Sequence, residues 1–197
     1  MGKIFCLMGK SATGKDTIYQ ELFARGTLPV RKIIPYTTRP IREGETEGNE
    51  YYFCAEDKVE ELEAAGKIIE LRAYDTVYGV WKYFTVDDGQ IDLAHNNYLL
   101  IGTLETYRKI RDYFGKEKVC PIYIEVEDGE RLMRAIAREQ SQNTPKYEEM
   151  CRRFLADASD FSEEKLESAG IRRRFINRDL HTTIDEVASY IVQEIGR

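Results

Sequence analysis

The sequence predicts an α/β protein: a parallel sheet wound with helices on both faces, carrying a phosphate-binding loop behind its first strand. Three observations predict it. Lys3-Ile4-Phe5-Cys6-Leu7-Met8 is a short apolar run of buried-strand type. Gly9-Lys10-Ser11-Ala12-Thr13-Gly14-Lys15 follows at once, and Ile18 to Ala24 then repeats at helical spacing. Further short apolar runs at 30–36, 97–101, 118–126 and 172–177 recur, with helical patterns between most of them.

Strand, glycine loop, lysine and helix together give the P-loop context. Glycines let the backbone curl so that several N–H groups converge on one anion. The next helix adds its free first-turn N–H groups and positive dipole end. Lys15 supplies a mobile cation for the outer phosphates. The ATP-site candidates are Gly9, Ser11, Ala12, Thr13, Gly14, Lys15, Asp16 and Thr17. Asp16 stands where the motif asks for a hydroxyl, and Thr17 comes one later. A carboxylate can ligate magnesium, so Asp16 and Thr17 are the metal candidates.

The remaining elements follow in order. Gly26-Thr27-Leu28-Pro29 breaks the chain, and Val30 to Thr38 reads as a second strand. Residues 39–50 are a polar loop, 51–54 a short strand, and 56–65 a helix closed by Gly66. Strands are expected over 67–74 and 78–85, a helix over 86–94, a buried strand over 98–101, and a helix from Thr103, a natural cap, to Phe114. A strand at 118–126 precedes an amphipathic helix at 128–138. Pro145 is expected to start a long helix to about Lys165. The strand at 172–177 leads to a final helix opened by Thr182 or Thr183. Residues about 36–85, short strands with one small helix, read as an inserted lobe.

With 197 residues and 42% hydrophobic content, the chain is expected to form one domain with a proper core. A net charge of −6 supplies no overall basic field, which argues against a nucleic acid polymer as partner. The apolar run at the start is too short for a signal peptide, and no run reaches membrane-spanning length. Cys6, Cys54, Cys120 and Cys151 have no zinc-type spacing, and a reducing cytoplasm is the expected location. His95 and His181 have no nucleophile or metal pattern around them.

Thr37-Thr38-Arg39-Pro40-Ile41-Arg42-Glu43-Gly44-Glu45, followed by Gly48-Asn49-Glu50-Tyr51-Tyr52-Phe53, resembles the guanylate kinases. The resemblance continues through Ile69-Glu70, Tyr78-Gly79 and Ile176-Asn177, in the family's order and over most of the chain. It implies magnesium-dependent phosphoryl transfer from ATP to a nucleoside monophosphate, GMP, by a monomer or homodimer. It also implies a core (about 1–35 and 86–197), a monophosphate-binding lobe (about 36–85) and a lid (about 138–150). Carried over by position, Arg39, Arg42, Tyr51 and Tyr78 would hold the acceptor phosphate, and Glu70 would accept from the guanine N1–H and amino group. Arg134, Arg138 and Arg153 would close on the transferring group, and Asn177 would lie near the adenine.

Guanidinium forks suit phosphate oxygens, and a buried carboxylate reads guanine by rejecting a base that leaves it unpaired. Read from the residues alone, other roles stay open. Arg39 and Arg42 lie among Glu43, Glu45 and Glu47, as solvated ion pairs do. Arg134 and Arg138 with Glu130 fit a helix-surface charge ladder. Glu70 fits a surface strand position, Tyr51 and Tyr78 fit core aromatics, and Arg152 rivals Arg153.

The resemblance fails at three places. Pro35-Tyr36 replaces a serine expected before the Thr-Thr-Arg, Val80 replaces a hydroxyl residue after Tyr-Gly, and Tyr98 to Thr103 lacks a pair of aspartates. Gly14-Lys15-Asp16 is similar to the loop of bacterial ribose-bisphosphate phosphokinases, a family that lacks the Arg39-to-Phe53 block and Glu70. Non-catalytic guanylate kinase-like modules of scaffold proteins resemble the chain as well, but typically lose the loop lysine that is kept here.

Overall fold

The structure, a computed structural model, describes residues 1–42, 44–76 and 79–197. Five strands form a wholly parallel sheet: β1 (Ile4–Met8), β2 (Val30–Lys32), β7 (Asn97–Ile101), β8 (Val119–Glu125) and β9 (Arg174–Ile176), in the order β2-β7-β1-β8-β9. β1 is central and buried along its whole length. Its side chains alternate between two apolar layers, as the pleat requires. Ile4, Cys6 and Met8 pack towards Leu104, Tyr107 and Ile110 of α3 (Leu104–Phe114) and Leu166 of α6 (Glu163–Ser168). Phe5 and Leu7 pack towards Ile18 and Leu22 of α1 (Lys15–Ala24) and Ile184, Val187 and Ile191 of α7 (Leu180–Ile195). This is the α/β architecture expected from the sequence.

A second sheet, ordered β4-β3-β6-β5, joins β3 (Tyr36–Thr37), β4 (Tyr52–Phe53), β5 (Ile68–Thr76) and β6 (Gly79–Val86). One of its faces packs on α2 (Glu56–Ala64): Tyr36, Leu71, Phe84 and Val86 cluster with Val59 and Leu62. The opposite face carries Arg72 across from Tyr83 and, past a β-bulge between Ile68 and Glu70, Glu70 across from Thr85. Between β8 and β9 lie α4 (Asp128–Gln140), α5 (Tyr147–Asp160) and α6. Among the described residues no helix is long and apolar enough to cross a membrane.

Four expectations are corrected. The strand at 30–38 is two strands in different sheets. Pro35 has no N–H to give a ladder, the Ile34 amide donates to the Gln90 side chain, and the Pro35 carbonyl accepts from Tyr52. No helix forms over 86–94. Gly89 takes φ +90, and the Asp88 and Asp92 carboxylates accept from the Gln90 and Ala94 amides, closing local turns instead. The long helix after Pro145 is two helices, α5 and α6, because Phe161 turns into the core and Ser162 caps α6. The last helix starts at Leu180, capped by Asp179 through the Thr182 amide at 2.8 Å. The expected Thr103 cap of α3 is present.

Candidate active site

The glycine loop leaves the C-terminal end of β1 and enters α1 through Gly14, whose φ of +85 is open to glycine at little cost. Ala12 also adopts a left-handed conformation, φ +63. A Cβ on Gly9 would meet the Ile124 carbonyl oxygen at 2.7 Å, so the loop lies flush on β8. Thr13 ties the loop to itself, its hydroxyl donating to the Lys10 carbonyl at 2.8 Å. Asn177, 3% exposed, braces it from outside: its amide donates to the Thr13 carbonyl at 2.8 Å.

Two residues that the sequence reading did not single out anchor the loop tip. The Asp157 carboxylate in α5 accepts from the Ser11 amide at 2.7 Å. Arg131 in α4, fully buried, donates to the Ser11 carbonyl at 3.3 Å and pairs with Asp128 at 3.1 Å. Its guanidinium lies over the Phe154 ring, 4.5 Å from the centroid. Sequence alone offered only the helical spacing of Asp128 and Arg131 as a clue.

Lys15 and Asp16 open α1, and their side chains pair at 3.2 Å. The Asp16 carboxylate is 71% exposed and Thr17 is exposed beside it. Among the described residues no three His, Cys, Asp or Glu side chains gather to hold a metal. This donor set, one open carboxylate and one hydroxyl at a phosphate loop, fits a magnesium ion held chiefly by nucleotide oxygens and water.

Arg134 donates to the Asn177 carbonyl at 3.2 Å and pairs with Glu130 at 2.5 Å, which places it beside the loop's brace. Arg138, one turn on, is exposed. Arg153 lies 3.8 Å from Glu139, a carboxylate only 2% exposed, and its Nε, 3.7 Å from Glu149, has no hydrogen-bond partner among the described residues. Its rival Arg152 is 66% exposed and forks onto Glu149. His95 pairs with Asp92 at the surface, and His181 is exposed.

The second sheet gathers the other candidates. Arg39 is 3% exposed and forks onto Glu45, at 2.7 and 3.0 Å. Burial opposes its charge, but the Glu45 carboxylate, with a smaller contribution from Tyr83, more than offsets this and raises the guanidinium above its ordinary pKa. The Arg39 hydrogen bonds in turn hold Glu45 below the usual carboxylate range. The Arg39 guanidinium lies over the Tyr51 and Phe53 rings, and its buried Nε has no hydrogen-bond partner among the described residues. An unsatisfied buried donor is costly unless a ligand completes it. Arg42 is exposed, its backbone amide donating to Glu45 at 2.8 Å. Glu70 is buried, accepting from Arg72 Nε at 3.0 Å and from the Thr85 hydroxyl at 3.0 Å. Tyr78 lies outside the described residues.

A chain with a nucleotide-type loop on one sheet and buried Arg39 and Glu70 on another is matched, over residues 1–194, by the family model described as guanylate kinase. The chain belongs to the guanylate kinase family. A guanylate kinase of Symbiobacterium thermophilum is 28% identical over the whole chain and 87% of its own length. One from Neisseria gonorrhoeae is 36% identical across 51% of this chain and 46% of its own. The crystal structure of guanylate kinase from Anaplasma phagocytophilum superposes with a TM-score of 0.69 at 22% identity, covering 98% of this chain and 86% of that one, which shows the shared fold. This family member is a phosphotransferase whose candidate donor and acceptor residues stand on separate sheets.

Proposed function

We propose that this guanylate kinase-family chain transfers the γ-phosphoryl group of ATP to GMP, giving ADP and GDP. The match over residues 1–194 carries the reading. Its support in the molecule is a glycine loop with Lys15 on the parallel sheet and the buried Arg39 and Glu70 on the other. The acceptor phosphate oxygen is already anionic, so the transfer needs no general base, and positioning with charge neutralisation does the catalysis.

Gly9 to Thr17 would wrap the ATP phosphates, with Lys15 reaching the outer ones, and Asn177 would sit beside the adenine while bracing the loop. Arg39, Arg42, Tyr51 and Tyr78 would hold the acceptor phosphate, the Arg39 Nε, without a hydrogen-bond partner among the described residues, giving it a ready donor. Glu70 would read the guanine N1–H and amino group. Arg134, Arg138 and Arg153 would close on the transferring group as residues about 138–150 move over it, excluding the water that would otherwise take the phosphoryl group. Magnesium, held by the nucleotide with Asp16 and Thr17 at hand, would supply neutralising charge on the phosphates. We place the enzyme in the cytoplasm, acting as a monomer or homodimer on small nucleotides, with neither nucleic acid polymer nor membrane as partner.

The test is ADP release from magnesium-ATP with GMP, AMP, UMP, CMP or ribose bisphosphate as sole acceptor. The proposal expects a rate confined largely to GMP. A preference for ribose bisphosphate would overturn it, and ATP binding with no working acceptor would favour a non-catalytic module.

A further inference from the structure

Glu70 does not stand alone on its face of the second sheet. Two residues on along β5, and so on the same side of the pleat, Arg72 places Nε 3.0 Å from one Glu70 oxygen and Nη2 3.5 Å from the other. The Glu70 side chain is fully buried and that of Arg72 is 16% exposed. The Thr85 hydroxyl, across the ladder, is committed to the same carboxylate at 3.0 Å. Both charges are felt at Cys6 in the central strand β1, whose thiol burial raises, with Glu70 adding to the rise and Arg72 opposing it. Arg72 is also felt, with Arg39, at the half-buried Tyr51. Tyr83, across the ladder from Arg72, meets the Tyr51 ring edge-on with centroids 5.7 Å apart, so the pair lies beside the cluster proposed to hold the acceptor phosphate.

Guanine presents three groups in a row along one edge: the 2-amino donor, the N1–H donor and the O6 acceptor. A carboxylate answers the first two, and a hydrogen-bond donor must answer the third. Pro35 has no donor to offer, and Val80 is apolar and half exposed. Thr85 is already engaged. A guanidinium has five donors: Arg72 commits Nε to Glu70 at 3.0 Å and one Nη2 donor weakly at 3.5 Å, and Tyr74 also interacts with it, which leaves further donors on a planar fork that suits guanine O6 and N7.

We propose that Arg72 is a specificity-determining residue of the acceptor site: it donates to guanine O6 while Glu70, beside it, accepts from N1–H and the amino group. The inference rests on the GMP kinase reading above. Adenine reverses the pattern, setting an amino donor against Arg72 and a bare ring nitrogen against Glu70, so the pair rejects AMP with both members.

A merely structural Arg72, holding Glu70 in place, would weaken every guanine nucleotide alike. The test is kcat/KM for GMP and for 6-thioguanosine monophosphate, which keeps N1–H and the amino group but carries a poor acceptor at position 6. It is measured on the wild type, Arg72→Met and Arg72→Lys, with a thermal melt of each. Arg72→Lys keeps a cation beside the buried carboxylate and decides the matter if Arg72→Met fails to fold. The wild type should favour GMP by about tenfold to a hundredfold. That ratio should fall towards one in Arg72→Met and to an intermediate value in Arg72→Lys, with the loss in KM. GDP formation by the wild type with an unchanged ratio in the folded variants overturns the role of Arg72 alone. A wild type that makes no GDP overturns the kinase reading, and this inference with it.

Discussion

Replacing Arg39 by alanine tests the acceptor cluster in both stability and binding. The side chain is 3% exposed and donates two parallel hydrogen bonds to Glu45, at 2.7 and 3.0 Å, and one to the Pro40 carbonyl at 2.8 Å. Removing one member of a buried ion pair costs about 3–5 kcal/mol. Glu45 is 18% exposed and keeps its bond from the Arg42 amide, so water and backbone recover part of the loss and the lower end applies. A loss of about 3 kcal/mol, at about 2–4 °C per kcal/mol for a chain of this size, lowers the melting temperature by about 6–12 °C. The variant also removes the Nε donor proposed for the acceptor phosphate, so KM for GMP should rise more than about tenfold, the loss expected when a charge-assisted bond to phosphate disappears. KM for ATP should hardly move. Calorimetric melting and initial rates with each substrate varied in turn give both quantities. A melting shift below about 2 °C with an unchanged KM for GMP would refute the reasoning, because it would make Arg39 a solvated surface arginine.

Other expectations follow from the same contacts. Because Arg39 lowers the folded pKa of Glu45 below its ordinary 4.5, the pair's stabilisation is complete above pH 4.5 and disappears as pH falls through the lowered folded value. Melting curves of the wild type and Glu45→Gln should therefore converge below that pH. Gly14→Ala puts a side chain at φ +85, with its Cβ 2.7 Å from Asn177 Nδ2. The left-handed conformation costs about 1–2 kcal/mol and the brace is displaced as well, so KM for ATP should rise roughly tenfold in initial-rate assays. Asp16→Ala should raise the magnesium concentration needed for half-maximal rate, read from a magnesium titration at fixed ATP, and Asp16→Ser should restore much of the loss.

The sequence displayed the parallel sheet because its central strands β1, β7 and β8 are buried on both faces and so read as nearly unbroken apolar runs. It displayed the phosphate loop because glycines at fixed spacing are a local backbone requirement. It hid the break at Ile34-Pro35, where one extended stretch serves two sheets, because that depends on Gln90 and Tyr52, which are distant in the chain. It suggested a helix over 86–94, since apolar spacing outweighed Gly89 and the aspartates that close turns there. Arg39 and Glu70, proposed for the acceptor site, drew attention through the blocks around them, and the fold buries both. Asp157 and Arg131 did not, because each acts through a partner that only the fold brings near, the Ser11 amide and the Ser11 carbonyl, whereas the strand spacing of Glu70 and Arg72 was there to read but their burial together was not.

The most direct measurement is the product balance of the wild-type chain with magnesium-ATP and GMP, separated by anion-exchange chromatography, beside Lys15→Ala checked for an unchanged circular dichroism spectrum. The account predicts GDP and ADP in equal amounts from the wild type and neither from the variant. ADP with free phosphate in place of GDP, or a variant as fast as the wild type, would contradict it.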